Sequence, residues 1–235
     1  YQALLQSRCF RKGQLTCLTC HTAPHAEHGD NELRPVAGVK DAAALGDASC
    51  RGCHGQIAAM AAQHSRHKSP AAMSCVACHM PRVVTGVLDH FADHAIDIPL
   101  PENTVAHQIP SACGQCHKDR APESLAADLK RLWPQAEVRQ QRRRRLADAI
   151  DEQTAEHSRP SLLAVLADAE EAASLRGACA LLLAQRFPRG AALFLVPLLR
   201  SPDSLLRAQA VQALGFAKAR EAISAGMKIF YDSWW

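Results

Sequence analysis

The chain has 235 residues, a formal net charge of +4, and a composition that is 48% hydrophobic but only 5% aromatic. That length allows one large domain or two modest ones, the mild charge gives no support for a nucleic-acid partner, and no run of 18 or more apolar residues is available to form a transmembrane helix. The unusual numbers are 10 cysteines and 12 histidines, and their placement governs the reading.

In chain order, Cys9 comes first and stands alone. Cys17-Leu18-Thr19-Cys20-His21 follows, with His25 and His28 close behind. Cys50-Arg51-Gly52-Cys53-His54 is next, then the pair His64 and His67, then Cys75-Val76-Ala77-Cys78-His79. His90, His94 and His107 lead to Cys113-Gly114-Gln115-Cys116-His117. Every Cys-x-x-Cys in the chain is thus followed at once by histidine.

The chemistry explains the spacing. Two residues between the cysteines let a single turn present both sulfurs to one porphyrin edge, where they form thioethers with the vinyl groups. The next residue aims its imidazole at the iron. Zinc ribbons, a disulfide framework and a thioredoxin-like motif give no reason for a histidine after each pair. The motifs predict four haem c groups, bound by Cys17, Cys20, Cys50, Cys53, Cys75, Cys78, Cys113 and Cys116. His21, His54, His79 and His117 are the proximal ligands.

Residues 1–120 hold all four motifs, few large apolar side chains and 11 of the histidines. Such a segment buries too little apolar surface to fold alone, so its fold is expected to depend on the porphyrins. Residues 121–235 differ, being rich in Ala, Leu and Arg at helical spacing. Helices are predicted over Pro122–Trp133, Ala136–Glu156, Ser161–Ala167, Glu170–Phe187, Ala191–Arg200 and Ser204–Ala219. Val138, Leu146 and Ile150 would form the apolar stripe of the second, and Cys179 falls on an apolar face. The basic run Arg142–Arg145 reads as a solvated face, with a docking site as the alternative.

Leu175-Arg176-Gly177-Ala178 aligns with Leu206-Arg207-Ala208-Gln209 at an offset of 31 residues, and Leu183 with Leu214. Helix pairs at such an interval suggest an α-solenoid, and the apolar–Arg–x–x–Ala start resembles HEAT repeats. The predicted fold is therefore mainly α: a haem-packed, loop-rich tetrahaem domain (1–120) followed by a HEAT-like helical domain (121–235). The start at Tyr1 and the aromatic end, Phe230-Tyr231-Asp232-Ser233-Trp234-Trp235, give the expectation that the chain is processed or part of a longer one.

The first half resembles the cytochrome c554-like multihaem family. The likeness is carried by Leu5-Gln6-Ser7-Arg8, Cys78-His79-Met80-Pro81, Asp93-His94, Pro99-Leu100-Pro101 and Pro110-Ser111-Ala112-Cys113, and spans roughly residues 2–133. It implies maturation outside the cytoplasm, hence a periplasmic or extracellular location. For the second axial ligands, His25 resembles the family's Cys-His-x-Pro-His with one residue added. His64 and His67 are similar to its paired histidines, and three-residue spacing puts both on one helical face. His94 matches its Asp-His. These four are the expected distal ligands, with His28, His90 and His107 in reserve.

The function expected from these features is electron transfer along a row of mostly bis-histidine haems, to or from a redox protein or neighbouring cytochrome subunits, with no catalysis. The alternatives are a reductase or oxidase with one open iron, and a conducting subunit of a larger assembly.

Overall fold

Gly, Pro and Ser/Thr interrupt the first 120 residues every few positions, so helices there are short. The computed structural model describes residues 2–13, 15–21, 33, 37–38, 42–84, 90–153 and 155–217. It divides into two units, residues 1–137 and 138–235. The composition shift had suggested a division near 120.

In the first unit, α1 (Gln2–Gln6), α2 (Arg8–Gly13) and α3 (Cys17–Cys20) precede the longer α4 (Ala42–Cys53). Then come α5 (Gly55–Ala59), α6 (Ala61–Ser65), a 3-10 turn (Pro70–Met73) and α7 (Cys75–His79). β1 (Arg82–Val84) and β2 (His90–Ala92) make a short antiparallel ribbon with Val83 opposite Phe91. Next are α8 (Pro101–His107), α9 (Ala112–Cys116) and α10 (Pro122–Leu132). Proline is pre-organised for a first helical turn and opens both α8 and α10. Leu125 and Leu129 form the buried stripe of α10, which packs on α8 and α9. Trp133 caps its end.

The second unit contains α11 (Glu137–Ile150, its first residue at the boundary), α12 (Arg159–Ala167), α13 (Ala173–Arg186), α14 (Ala192–Leu195) and α15 (Ser204–Phe216). A single apolar core joins Leu162, Val165, Cys179, Leu183, Leu195, Leu206 and Leu214, all shielded from solvent. Arg176 Nε donates to the Leu166 carbonyl, and Arg207 Nη1 donates to those of Ser201 and Pro202. The two arginines aligned at the 31-residue offset thus both satisfy carbonyls at the end of the preceding helical segment.

Several sequence expectations for this unit change. Val138 is 78% exposed and Ile150 47%, so the predicted stripe does not form. The buried residues of α11 are Gln140, Leu146, Ala147 and Ala149, and the charged partners explain this rotation. Glu171, with a side chain 1% exposed, takes both Arg142 Nε and Nη2 at 2.7 Å, and Arg145 Nη2 reaches Asp168 at 3.0 Å. Arg142 and Arg145 are therefore tied into the fold rather than lying on a solvated face. Finally, the helix over 191–200 tightens to a 3-10 turn at Val196–Arg200, where Pro197 has no N–H for an α-helical bond.

Among the described residues no helix is long and apolar enough to cross a membrane.

Candidate functional site

Each Cys-x-x-Cys-His occupies one helical turn, closed by the hydrogen-bond ladder of that turn. The N–H of His21 donates to the Cys17 carbonyl at 2.9 Å, His54 to Cys50 at 2.9 Å and His117 to Cys113 at 3.0 Å. Cysteines three apart on such a turn share one face. At three motifs a hydroxyl residue starts the turn. Thr16 and Thr19 make a reciprocal capping box, Ser74 Oγ accepts from the Ala77 N–H, and Ser111 Oγ accepts from the Gly114 N–H. The second motif differs in being the last turn of the 12-residue α4.

Three of the four motif histidines lie near another imidazole. His94 lies opposite His21 with ring centres 6.2 Å apart, His64 opposite His79 at 6.0 Å, and His67 opposite His117 at 6.0 Å. The rings of each pair are inclined by 32°, 27° and 34°. An imidazole–metal bond runs to about 2 Å. With about 1 Å more from each ring nitrogen to its ring centre, two imidazoles on one metal stand about 6 Å apart. The three observed gaps fit a flat macrocycle whose iron takes one ring from each side.

The outer nitrogens support the same orientation. Nδ1 of His79 donates to the Asp97 carbonyl at 3.0 Å, that of His94 to Ala92 at 2.9 Å, and that of His67 to Ser65 at 2.6 Å. A carbonyl can only accept, so the proton sits on Nδ1 and the Nε2 lone pair is left for a metal. Arg66, between His64 and His67, has φ 58°, and Ile96, between His94 and Asp97, has φ 46°. A β-branched residue is rarely left-handed. The anchors on either side hold these turns in place.

The free thiols stand where thioether sulfurs would sit after attachment, and their mutual influence follows motif order. Burial, then Cys9 and Cys53, raises the Cys20 thiol. Burial, then Cys75, pushes Cys50 up to about 12. Burial, then Cys116, raises Cys78, and burial, then Cys78, pushes Cys113 up to about 11. Packing agrees, since α4 contacts α7 and α7 contacts α9. Gln115 of the fourth motif also donates to the Arg82 carbonyl just beyond the third, at 2.8 Å.

Among the described residues no imidazole faces His54, which is exposed at the start of α5. His25 and His28 lie outside the described residues. His90 is in β2, where its carbonyl accepts from Arg82, and His107 ends α8.

Sequence reasoning missed the supporting shell. The Trp133 indole donates to the His64 carbonyl at 2.8 Å, the Asp97 carbonyl orients His79, and Asp47 joins two motif helices. Ile57, Met60, Gln63, His64, Arg66 and Trp133 line a cavity of about 280 Å³ beside the His64 ring. A tryptophan ending a helix gave no hint of this contact in the sequence.

Repeated Cys-x-x-Cys-His turns are the mark of a haem c protein serving electron transport. Residues 60–174, just under half of the chain, match the family model described as cytochrome c552. The match and the motifs together support a multihaem c-type cytochrome. No curated protein and no solved structure gives a significant match to the chain.

Proposed function

We propose that the protein is a four-haem electron carrier whose haems form a row in motif order. His21 with His94, His79 with His64, and His117 with His67 would hold the first, third and fourth haems. The second site has His54 as its motif ligand, and no partner is assigned to it from the described residues. The observation that carries this reading is the set of three imidazole pairs separated by 6.0–6.2 Å. Bound haem supplies reversible one-electron chemistry at iron, and two imidazoles per iron keep the coordination nearly unchanged between the two oxidation states.

The chain's own contribution is positioning. Asp97, Ala92 and Ser65 carbonyls fix three tautomers, and Trp133 holds the strap that bears His64 and His67. The sparse apolar core of the first unit fits a fold completed by porphyrin. Leu4, Leu100, Leu125 and Leu129 are its buried leucines among the described residues, against the continuous core of the second unit.

The second unit acts as a HEAT-like platform that holds the haem row against a redox partner or a neighbouring cytochrome subunit. Cys-x-x-Cys-His maturation and the family match support a periplasmic protein, and we read it as an electron carrier rather than an enzyme.

The test is an optical and EPR titration of the purified protein, oxidised and stepwise reduced, with and without carbon monoxide. Low-spin signals from every haem and no carbon monoxide shift are expected. A high-spin fraction that binds carbon monoxide would replace this reading with a reductase or oxidase whose reaction occurs at an open iron.

A further inference from the structure

Asp47 is 8% exposed and lies in the middle of α4, the helix that ends in the second attachment motif. Its partners lie in the third motif. Asp47 Oδ1 accepts from Ser74 Oγ at 3.0 Å and from the Val76 N–H at 3.0 Å. Ser74 is the N-cap of α7, and its own oxygen accepts from the Ala77 N–H at 3.1 Å. The turn carrying Cys75 and Cys78 is therefore capped twice, once by its own serine and once by a carboxylate from the preceding site. A buried carboxylate is retained only where hydrogen bonds replace its hydration, and donors at a helix start suit a negative charge. Arg51, one turn further along α4, reaches the other oxygen at 4.0 Å.

The neighbouring residue sets how close the two helices come. A Cβ added to Gly46 would stand 2.8 Å from Val76 Cγ2, inside contact distance. Gly46 gives the room and Asp47 supplies the attraction. Cys50 lies three residues after Asp47 on α4 and Cys75 directly follows Ser74, so this joint holds the two attachment turns beside each other.

We propose that Asp47 is a positioning residue that locks the second and third haem attachment turns together and so fixes the geometry between those two haems. The inference rests on the haem reading above. It adds a specific dependence: two of the four sites share one carboxylate, and the other two do not.

The test compares Asp47→Ala and Asp47→Asn in the intact, matured protein by low-temperature EPR and stepwise potentiometry. Haem content from the pyridine haemochrome spectrum and the protein mass are measured first. Asp47→Ala removes the acceptor, and two of the four low-spin signals are expected to change g-values together while the other two stay. Asn keeps an oxygen at the Oδ1 position, so Asp47→Asn is expected to restore the wild-type g-values. Loss of its charge should move the potentials of the same two sites upward together. If Asp47→Ala does not accumulate, Gly46→Ala, which forces the helices apart with Asp47 intact, should move the same two signals.

Unchanged spectra in both Asp47→Ala and Gly46→Ala, or a change in one signal or in all four, would overturn the proposal. So would an Asp47→Asn variant whose g-values follow Asp47→Ala. Wild-type protein with no haem at these motifs would instead overturn the reading on which it rests.

Discussion

His94→Ala gives the most direct test of the axial pairing. His94 reaches the first site from a stretch 77 residues after Cys17, so its assignment owes nothing to local sequence. Its ring stands 6.2 Å from that of His21 and is held by a 2.9 Å hydrogen bond from Nδ1 to the Ala92 carbonyl. Removing the imidazole should leave one iron in four with a single strong ligand, turning about a quarter of the haem high-spin. The reduced protein should bind carbon monoxide to the same extent, measured against total haem from the pyridine haemochrome spectrum. Adding Cys17→Ser and Cys20→Ser should remove that high-spin quarter. A fully low-spin His94→Ala protein, or a high-spin signal that survives loss of the first motif, would refute the pairing.

Four further outcomes follow from the packing. Trp133→Phe loses the indole donor to the His64 carbonyl, and the sites of His79 and His117 should broaden together in EPR while the others keep their line shapes. Glu171→Ala removes the buried carboxylate that Arg142, 20% exposed, engages with two nitrogens. Unfolding in urea followed by circular dichroism should show a loss of about 2–3 kcal/mol, below the full cost of breaking a wholly buried pair. Gly177→Ala puts a Cβ 2.9 Å from Gln209 Cβ where α13 packs on α15, and overpacking there should cost about 1–3 kcal/mol in the same assay. Burial, then the charge of Glu171, pushes the Cys179 thiol up to about 12. The unfolded chain loses this proton first as pH rises past about 9, so stability is full below that pH and falls toward 12, by roughly 4 kcal/mol at most. Cys179→Ala, compared with wild type across pH 8–12 in denaturant melts, should lose this component of the slope.

The attachment turns were legible in the sequence because their chemistry is local: sulfur, sulfur and imidazole within five residues. The helix start at Pro122 was legible too, since proline acts on its own first turn. The ring opposite His21 depends on a chain reversal through β1 and β2, and no local rule states it; there a resemblance supplied what periodicity could not. Asp47 stayed hidden because a single acidic residue within a helix looks like any solvated one until Ser74 and Val76 arrive from 27 and 29 residues away. Helix boundaries drifted for a related reason. Glu170–Phe187 was expected as one helix, yet α13 begins at Ala173, because Glu171 is engaged with Arg142 and Asp168 Oδ1 accepts from the Glu170 N–H. Ala136–Glu156 likewise stops at Ile150, where Arg186 donates to the carbonyls of Ala149 and Ile150.

The unequal cores of the two units have a consequence in time. The core of residues 138–235 is built wholly from the chain's own Leu, Val, Ala and Cys side chains, so that unit has what it needs to fold as soon as it is synthesised. Among its described residues the first unit has only scattered buried apolar side chains, and its eight motif cysteines form no disulfides. An attachment machinery needs those sulfurs reduced and reachable, on a segment that has not yet closed. Maturation and collapse of that unit would then be one event, the last attachment also being the last step of folding.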